Sequence, residues 1–301
     1  MTRHTIAVDL GGTRVRVALV DDRGTVIRSE KAPTPSDEDT PAGLVAMVGA
    51  VIDGGATDGV GCDEVVIGIP GIIDHAAGRV VYAPNLNQDW LPLLSVEWFG
   101  GELDQPVSLA NDADLAAVGE AFFGAGHQRD TVYVTISTGV GAGAVFGGRV
   151  MKGRFSGLEL GHTIVDLPAA GDGRPATVEQ RGAGPAIAKA AAEAGLIERE
   201  ADLAELVRSG QPEAVALWDA ALESVGCGIA NLAWLLAPEV VVIGGGVGAN
   251  NPDLILPRLD HWLMTYGPST GGHIDVVTAE LGDDAALAGA ARWFEAVGER
   301  P

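Results

Sequence analysis

Cysteine is what this chain has least of: Cys62 and Cys227 are its two, far apart in sequence. They give neither a disulfide framework nor a Cys-x-x-Cys metal pattern, and a reducing cytoplasm is the expected setting. Cations are scarce as well, with 19 Lys and Arg against 41 Asp and Glu and a net charge of -22. That balance repels nucleic-acid phosphates and anionic membranes, so neither is an expected partner. Beyond this, the charge speaks to solubility and not to fold. Long apolar runs are missing too. The opening "MTRHTIAVDLGG" is apolar only briefly before Asp9, and "LAWLLAPEVVVIGGG" is broken by Pro238 and Glu239, so no signal peptide or membrane span is expected. No G-x-x-x-x-G-K-[ST] run occurs, and the three lysines, Lys31, Lys152 and Lys189, stand outside the glycine turns, which excludes a Walker loop.

What is present is an ordinary globular composition, 47% hydrophobic and 20% charged, in 301 residues, enough for two lobes of common size. "TIAVDLGGTRVRVALVDDRGTVIRSE" reads as an apolar strand, a Gly-Gly turn, an alternating strand, an Asp-Arg-Gly turn and a third strand. A helical segment near 41–53 and a buried strand "VVIGIPG" follow. A second meander at 131–152, "TVYVTISTGVGAGAVFGGRVMK", repeats the opening pattern. Ala-rich helices at 184–236, a strand "EVVVIGGGV" and a closing helix at 285–297 complete an alternation that predicts an α/β class.

Glycine turns let backbone N–H groups approach phosphate oxygens because no Cβ intervenes, and "DLGGT" and "STGVGAG" both qualify. A tight hairpin with no ligand explains either one alone; their recurrence in equivalent places of a repeat favours phosphate. Asp9, at the end of the first strand, suits Mg²⁺ held directly or through water, or else it caps the turn. Asn111 and Asp112 fall where a strand meets a helix, so Asp112 is either an N-cap or a carboxylate that takes a proton from a substrate hydroxyl. "VVVIGGGVGAN" admits a dinucleotide turn, a plain strand-to-helix turn, or a shelf under an adenine or ribose. In "GLELGHTIVDLPAAGDGRPATVEQ", Glu159, His162 and Glu179 read as metal ligands, substrate ligands or a structural cluster. The glycines around Glu159-x-x-His162 predict a loop over a helix there, since two of them cost a helix roughly 2 kcal/mol.

Taken in order, "DLGGTRVRVALVD", "GIPGIID", "APNLNQDW", "NDADLAAVGE", "STGVGAGAVFGG", "LELGH", "VEQRGAG", "VVIGGGV" and "AALAGAA" resemble the ROK family of sugar kinases over nearly the whole chain, and within it the bacterial glucokinases. The resemblance implies a two-lobed actin-like, hexokinase-like fold of duplicated ribonuclease H-like design, with ATP and sugar in the interlobe cleft. The lobes are expected at 1–111, with the closing helix 285–301 packed back on them, and at 112–284. The resemblance further implies that Gly11, Gly12 and Thr13 form one phosphate hairpin and Thr138, Gly139 and Gly141 the other, with Gly245 and Gly246 at the adenosine. It makes Asp112 the catalytic base. Glu159, His162 and Glu179 become sugar contacts, together with Gly71, Asn85, Asn111 and Asp112 itself.

The implied reaction transfers the γ-phosphoryl of MgATP to the 6-hydroxyl of glucose or a close hexose. The alternatives are another hexose, an N-acylhexosamine or a cyclitol, and, outside the enzymes, a sugar-sensing regulator, which would carry an N-terminal DNA-binding domain. A cytoplasmic homodimer or dimer of dimers is also implied. On this reading a Cβ branch at Gly12 or Gly139 blocks nucleotide use and spares binary sugar binding. One departure is specific. Family members follow Glu-x-Gly-His with three cysteines that join the histidine on a structural zinc, and here those positions are Ala170, Asp172 and Thr177, so no zinc is expected. Leu158 replaces a small residue before Glu159, and Asp114 stands where Asn is common.

Overall fold

The computed structural model describes residues 2–35, 41–167, 175–196, 200–269 and 272–298. Strand β1 (His4–Leu10) turns at Gly11, whose N–H donates to the Arg14 carbonyl at 2.9 Å, into β2 (Arg14–Asp21). The next turn is held by the Asp21 carboxylate, which accepts the N–H groups of Arg23 and Thr25 at 3.0 and 2.8 Å, and leads into β3 (Val26–Pro33). Helix α1 (Ala42–Thr57) buries Leu44, Val48 and Val51 along one face. Strand β4 (Glu64–Ile69) is buried at every position, as a parallel strand covered on both faces must be. A small antiparallel pair, β5 (Ile72–Asp74) and β6 (Arg79–Tyr82), is followed by α2 (Val96–Leu103), capped by the Ser95 side chain, and β7 (Val107–Asn111), which runs straight into α3 (Asp112–Phe123). The first sheet has the order β3-β2-β1-β4-β7, with β1, β4 and β7 parallel and the register Thr5↔Glu64 and Val65↔Val107. Its core holds Ile6, Val8, Ile67, Trp90 and Phe99, each at most 1% exposed.

Strands β8 (Thr131–Ile136), β9 (Val140–Phe146) and β10 (Arg149–Val150) repeat the opening meander. Next come a short pair, β11 (Ile164–Asp166) and β12 (Ala176–Thr177), and four helices, α4 (Val178–Gly182), α5 (Gly184–Glu193), α6 (Glu200–Arg208) and α7 (Pro212–Leu236). Strand β13 (Val240–Gly244) enters α8 (Gly245–Asn250), α9 (Pro252–Tyr266) and β14 (Asp275–Thr278). The second sheet has the order β10-β9-β8-β13-β14, and β13 is parallel to both β8 and β14.

The closing segment, expected as one helix, is two: α10 (Ala285–Ala290) and α11 (Trp293–Val297), separated at Arg292. Helix α10 lies unusually close to α3 because glycines face the crossing. A Cβ on Gly119 would fall on the Ala285 carbonyl, and one on Gly289 on that of Leu115. The chain divides into two compact units, Met1–Gln128 with Gly143–Leu158 and Asp283–Pro301, and Arg129–Ala142 with Glu159–Gly282. The expected boundary at 111/112 differs from this division. Helix α3 stays with the first unit, held by α10 and by Asp114, whose carboxylate accepts the Gly157 N–H at 3.4 Å.

Candidate functional site

In the first unit, Asn111 is the N-cap of α3: its Oδ1 accepts the N–H groups of Ala113 and Asp114 at 2.9 and 3.2 Å. Asp112 is therefore the first helical residue and not the cap, because Asn111 has the extended backbone (φ -70, ψ 144) that a cap requires. The Asp112 carboxylate is half-buried and accepts the N–H of Ala113 at 2.9 Å, at a helix end where anionic side chains are favoured. The Asn111 amide also donates to the Gly71 carbonyl at 3.0 Å, which leaves it one N–H for a substrate. Ser156, absent from the sequence reading, completes this joint: its hydroxyl accepts the Ile73 N–H at 2.8 Å and lies 3.3 Å from the Gly71 carbonyl. Nothing in a lone serine of a glycine-rich loop marked it.

The first glycine hairpin rests on Asn85, since a Cβ on Gly12 would approach the Asn85 carbonyl to 2.9 Å. The Gly11 carbonyl accepts the Thr34 hydroxyl at 2.6 Å, and Thr13, exposed at the tip, accepts the Thr34 N–H at 3.0 Å. Asp9 sits one strand-step inside, opposite Arg16 in register. Burial pushes its carboxyl up, Arg16 and Lys31 pull it down, and Asp283 pushes it up again. Arg16 is itself engaged by Asp284. One half-buried carboxylate beside a glycine turn fits magnesium, which takes one or two carboxylates and fills its other positions with phosphate and water.

In the second unit, the sugar candidates and the second glycine turn meet. Glu179, on α4, accepts the Val140 N–H at 3.0 Å, and a Cβ on Gly139 would approach the same carboxylate oxygen to 2.6 Å. Gly161 packs on Val140 and on Glu179, so the Glu159–His162 segment is set against that turn. The segment is a single 3-10 turn, Leu160–His162, which carries the His162 Nε2 to 3.9 Å from the Glu159 carboxylate. Burial pushes the Glu159 carboxyl up, with His162 opposing and Glu179 reinforcing the shift. The turn is fixed from behind, where Leu160 and Val178 close on Gly228 of α7. The expectation that Gly139 serves the nucleotide alone changes here: any side chain at 139 displaces Glu179. At Gly12 a side chain likewise presses on Asn85.

Gly245 takes φ +81 at the end of β13, with a Cβ position blocked by the Ile136 carbonyl at 2.6 Å, so only glycine fits. Gly246 then opens a cavity of about 620 Å³ that Thr138 and Ser137 also line. Its apolar wall comes from Ile187, Ala204 and Trp218, and its polar edge from Asn250 and Arg208. Asp253 holds Arg208 through two bonds of 2.9 Å. A cavity with an apolar wall beside a glycine turn has the chemistry to take a nucleotide base. Of the two glycines that the resemblance puts at an adenosine, Gly246 lines this cavity, and the sequence reading anticipated none of the wall. Gly141 lies within β9, away from the cavity lining.

The positions of the zinc ligands of the resemblance are only partly described. Ala170 and Asp172 lie outside the described residues, Thr177 caps α4, and no group of three or more His, Cys, Asp or Glu is placed to hold a metal among the described residues. No described helix is long and apolar enough to cross a membrane.

The ROK family profile matches residues 5–297. A glucokinase of Streptomyces coelicolor is 32% identical over 315 residues, covering 95% of this chain and 96% of the relative. The ROK hexokinase of Thermus thermophilus aligns with a TM-score of 0.80 at 30% identity over 96% of both chains. A ROK glucokinase of Streptomyces griseus, crystallised with glucose and AMPPNP, aligns at 0.75 and 32% identity over 96% of this chain and 98% of that one. The architecture is the two-domain actin-like fold of these sugar kinases, and the chain belongs to the ROK family as a sugar phosphotransferase.

Proposed function

We propose that this chain transfers the γ-phosphoryl group of ATP to the 6-hydroxyl of glucose or a close hexose. The observation that carries the reading is the junction in the second unit, where one carboxylate, Glu179, braces the second glycine turn and stands beside the Glu159–His162 pair. A hexose presents hydroxyls that both donate and accept. Two carboxylates accept from them, an imidazole does either, and a sugar lacking a hydroxyl leaves these groups unpaired once it covers them. The glycine turns at Gly11–Thr13 and Thr138–Gly139 direct N–H groups at phosphate oxygens, and the base occupies the slot over Gly246. Asp112 accepts the proton of the attacking hydroxyl as the bond to phosphorus forms. Magnesium, held at Asp9 directly or through water, shields phosphate charge when bound.

Glucose as acceptor draws support from the glucokinase relatives at about a third identity. The same reading carries a cytoplasmic homodimer or dimer of dimers, which light scattering tests. A coupled assay with ATP across glucose, mannose, N-acetylmannosamine and a cyclitol tests the substrate. Glucose with the highest kcat/KM supports the proposal; preference for the N-acylated sugar or the cyclitol overturns it.

A further inference from the structure

Strand β2 sends Val15, Val17 and Leu19 to the core face of the first sheet, so Arg14 and Arg16 fall on the other face. Arg16 stands directly opposite Asp9 of β1 on one side and Lys31 of β3 on the other, and residues so paired share a face. Like charges facing one another across adjacent strands are destabilising, which makes the Arg16–Lys31 pairing costly by itself. Arg14, exposed and two residues nearer the Gly11–Thr13 turn, adds a third cation in a chain that has 19 Lys and Arg against 41 Asp and Glu. Carboxylates offset this charge in part: Asp9 opposite, Asp284 on the guanidinium, and Asp283 beside it in the chain.

The Arg16 side chain is only 15% exposed, and its bonding is one-sided. Its Nη1 donates to Asp284, while its Nε–H is buried and meets no acceptor. A buried N–H without an acceptor costs free energy and is rare in a stable fold. Nε and Nη2 lie along one edge of the planar guanidinium, the fork that matches two oxygens of a carboxylate or phosphate. In Arg208 that edge is filled by Asp253, at 2.9 Å on both nitrogens. In Arg16 the anchor sits on the other amino group, and the edge that carries Nε lies beside Asp9 and the glycine turn. The turn itself offers backbone N–H groups with partial charge and no lysine. We propose that Arg16 is a phosphate-binding residue, whose Nε edge takes oxygens of the donor's phosphate chain and supplies the full cation that a Walker lysine supplies elsewhere. This rests on the reading of Gly11–Thr13 as a phosphate turn for ATP.

Calorimetry on the full chain in excess Mg²⁺, with AMPPNP and with inorganic tripolyphosphate, tests the assignment. Arg16→Met should weaken AMPPNP binding by about tenfold or more, and Arg16→Lys, which keeps the charge without the fork, should recover only part of it. Asp284→Asn removes the half-exposed anchor and leaves the fork, so affinity should stay within about threefold of wild type. In steady state, Arg16→Met should raise the KM for ATP and lower kcat, with the KM for glucose unchanged. If Arg16 only ties α10 to the sheet, Arg16→Met and Asp284→Asn lower the melting temperature alike and leave AMPPNP affinity near wild type, which overturns the proposal. Should Arg16→Met fail to fold, Arg16→Lys and Arg16→Gln carry the same comparison. Wild-type protein that binds neither probe also overturns it. Binding of either probe that depends on Arg16, in a protein that phosphorylates no sugar, upholds the phosphate site and overturns the proposed function instead.

Discussion

At the scale of single residues, two carboxylates have separable jobs. On the proposed mechanism Asp112 takes a proton; its carboxylate shares the Ala113 N–H with Asn111, whose amide oxygen also accepts that of Asp114 and so keeps the cap in place. Asp112→Asn should therefore preserve folding and glucose affinity and lower kcat by about 10² to 10⁴, the usual share of a general base. Near-normal turnover in steady-state assays would remove Asp112 from the role. Glu159 is different because its environment disfavours its charge. The folded chain holds its carboxyl above the ordinary 4.5, chiefly by burial. A raised folded value means that this group's stabilising contribution is complete below about 4.5 and is lost as pH rises through the raised value. Glu159→Gln removes the cost of the charge at neutral pH, so the variant should melt slightly higher there, with the difference closing on acidification. Its side chain is 40% exposed, and screening keeps the gain under about 1 kcal/mol. Glucose affinity should fall in the same variant. A variant that melts lower at neutral pH would show that Glu159 is held by contacts its charge needs.

At the scale of elements, the legible parts were those with local chemistry. The three-stranded opening was readable because Gly11 and the Asp21 turn are encoded within a few residues, and the strand-to-helix switch at Asn111 because a cap sits next to an apolar helical pattern. The cavity at Gly246 was not. Its wall draws on Ile187, Ala204 and Trp218 from three different helices, and each reads as an ordinary core residue until the helices pack. The break between α10 and α11 was hidden in an unbroken helical pattern. The crossing of α10 on α3 was legible only as a motif, "AALAGAA", without its reason. That reason is steric: Gly119 and Gly289 leave no room for a methyl group against the opposing carbonyl. Gly119→Ala and Gly289→Ala should each raise helix propensity and still destabilise, by about 1 to 3 kcal/mol or more, because overpacking outweighs a gain of up to about 1 kcal/mol. Thermal unfolding would read this as a fall of several degrees. A rise in either variant would mean that the helices can separate at little cost.

At the scale of the whole molecule, the repeat of glycine hairpins announced two lobes, but which segment joins which unit depends on contacts distant in sequence. Residues 143–158 join the first unit through Gly143 against Ala113, Gly157 against Asp114 and Ser156 against Ile73, none visible along the chain. The same distinction between local and distant contacts bears on zinc. In a structural site the metal's binding energy is folding energy, so removing it unfolds the domain. Here other contacts hold the described ends of the corresponding loop. Thr177 and Gln180 form a capping box at the start of α4, Arg181 pairs with Asp166 of β11, and Leu160 and Val178 are seated on α7 at Gly228. The His162 side chain is 56% exposed, and Cys62 and Cys227 lie in different units. The loop's sequence carries no cysteine and so lacks the thiolates on which a structural zinc of the family type rests. The purified protein should therefore contain no stoichiometric zinc by elemental analysis. Its melting temperature and its glucose phosphorylation should be unchanged by a strong chelator when Mg²⁺ is kept in excess. One zinc per chain, with unfolding on its removal, would show that the residues between 167 and 175 supply ligands that their sequence does not suggest.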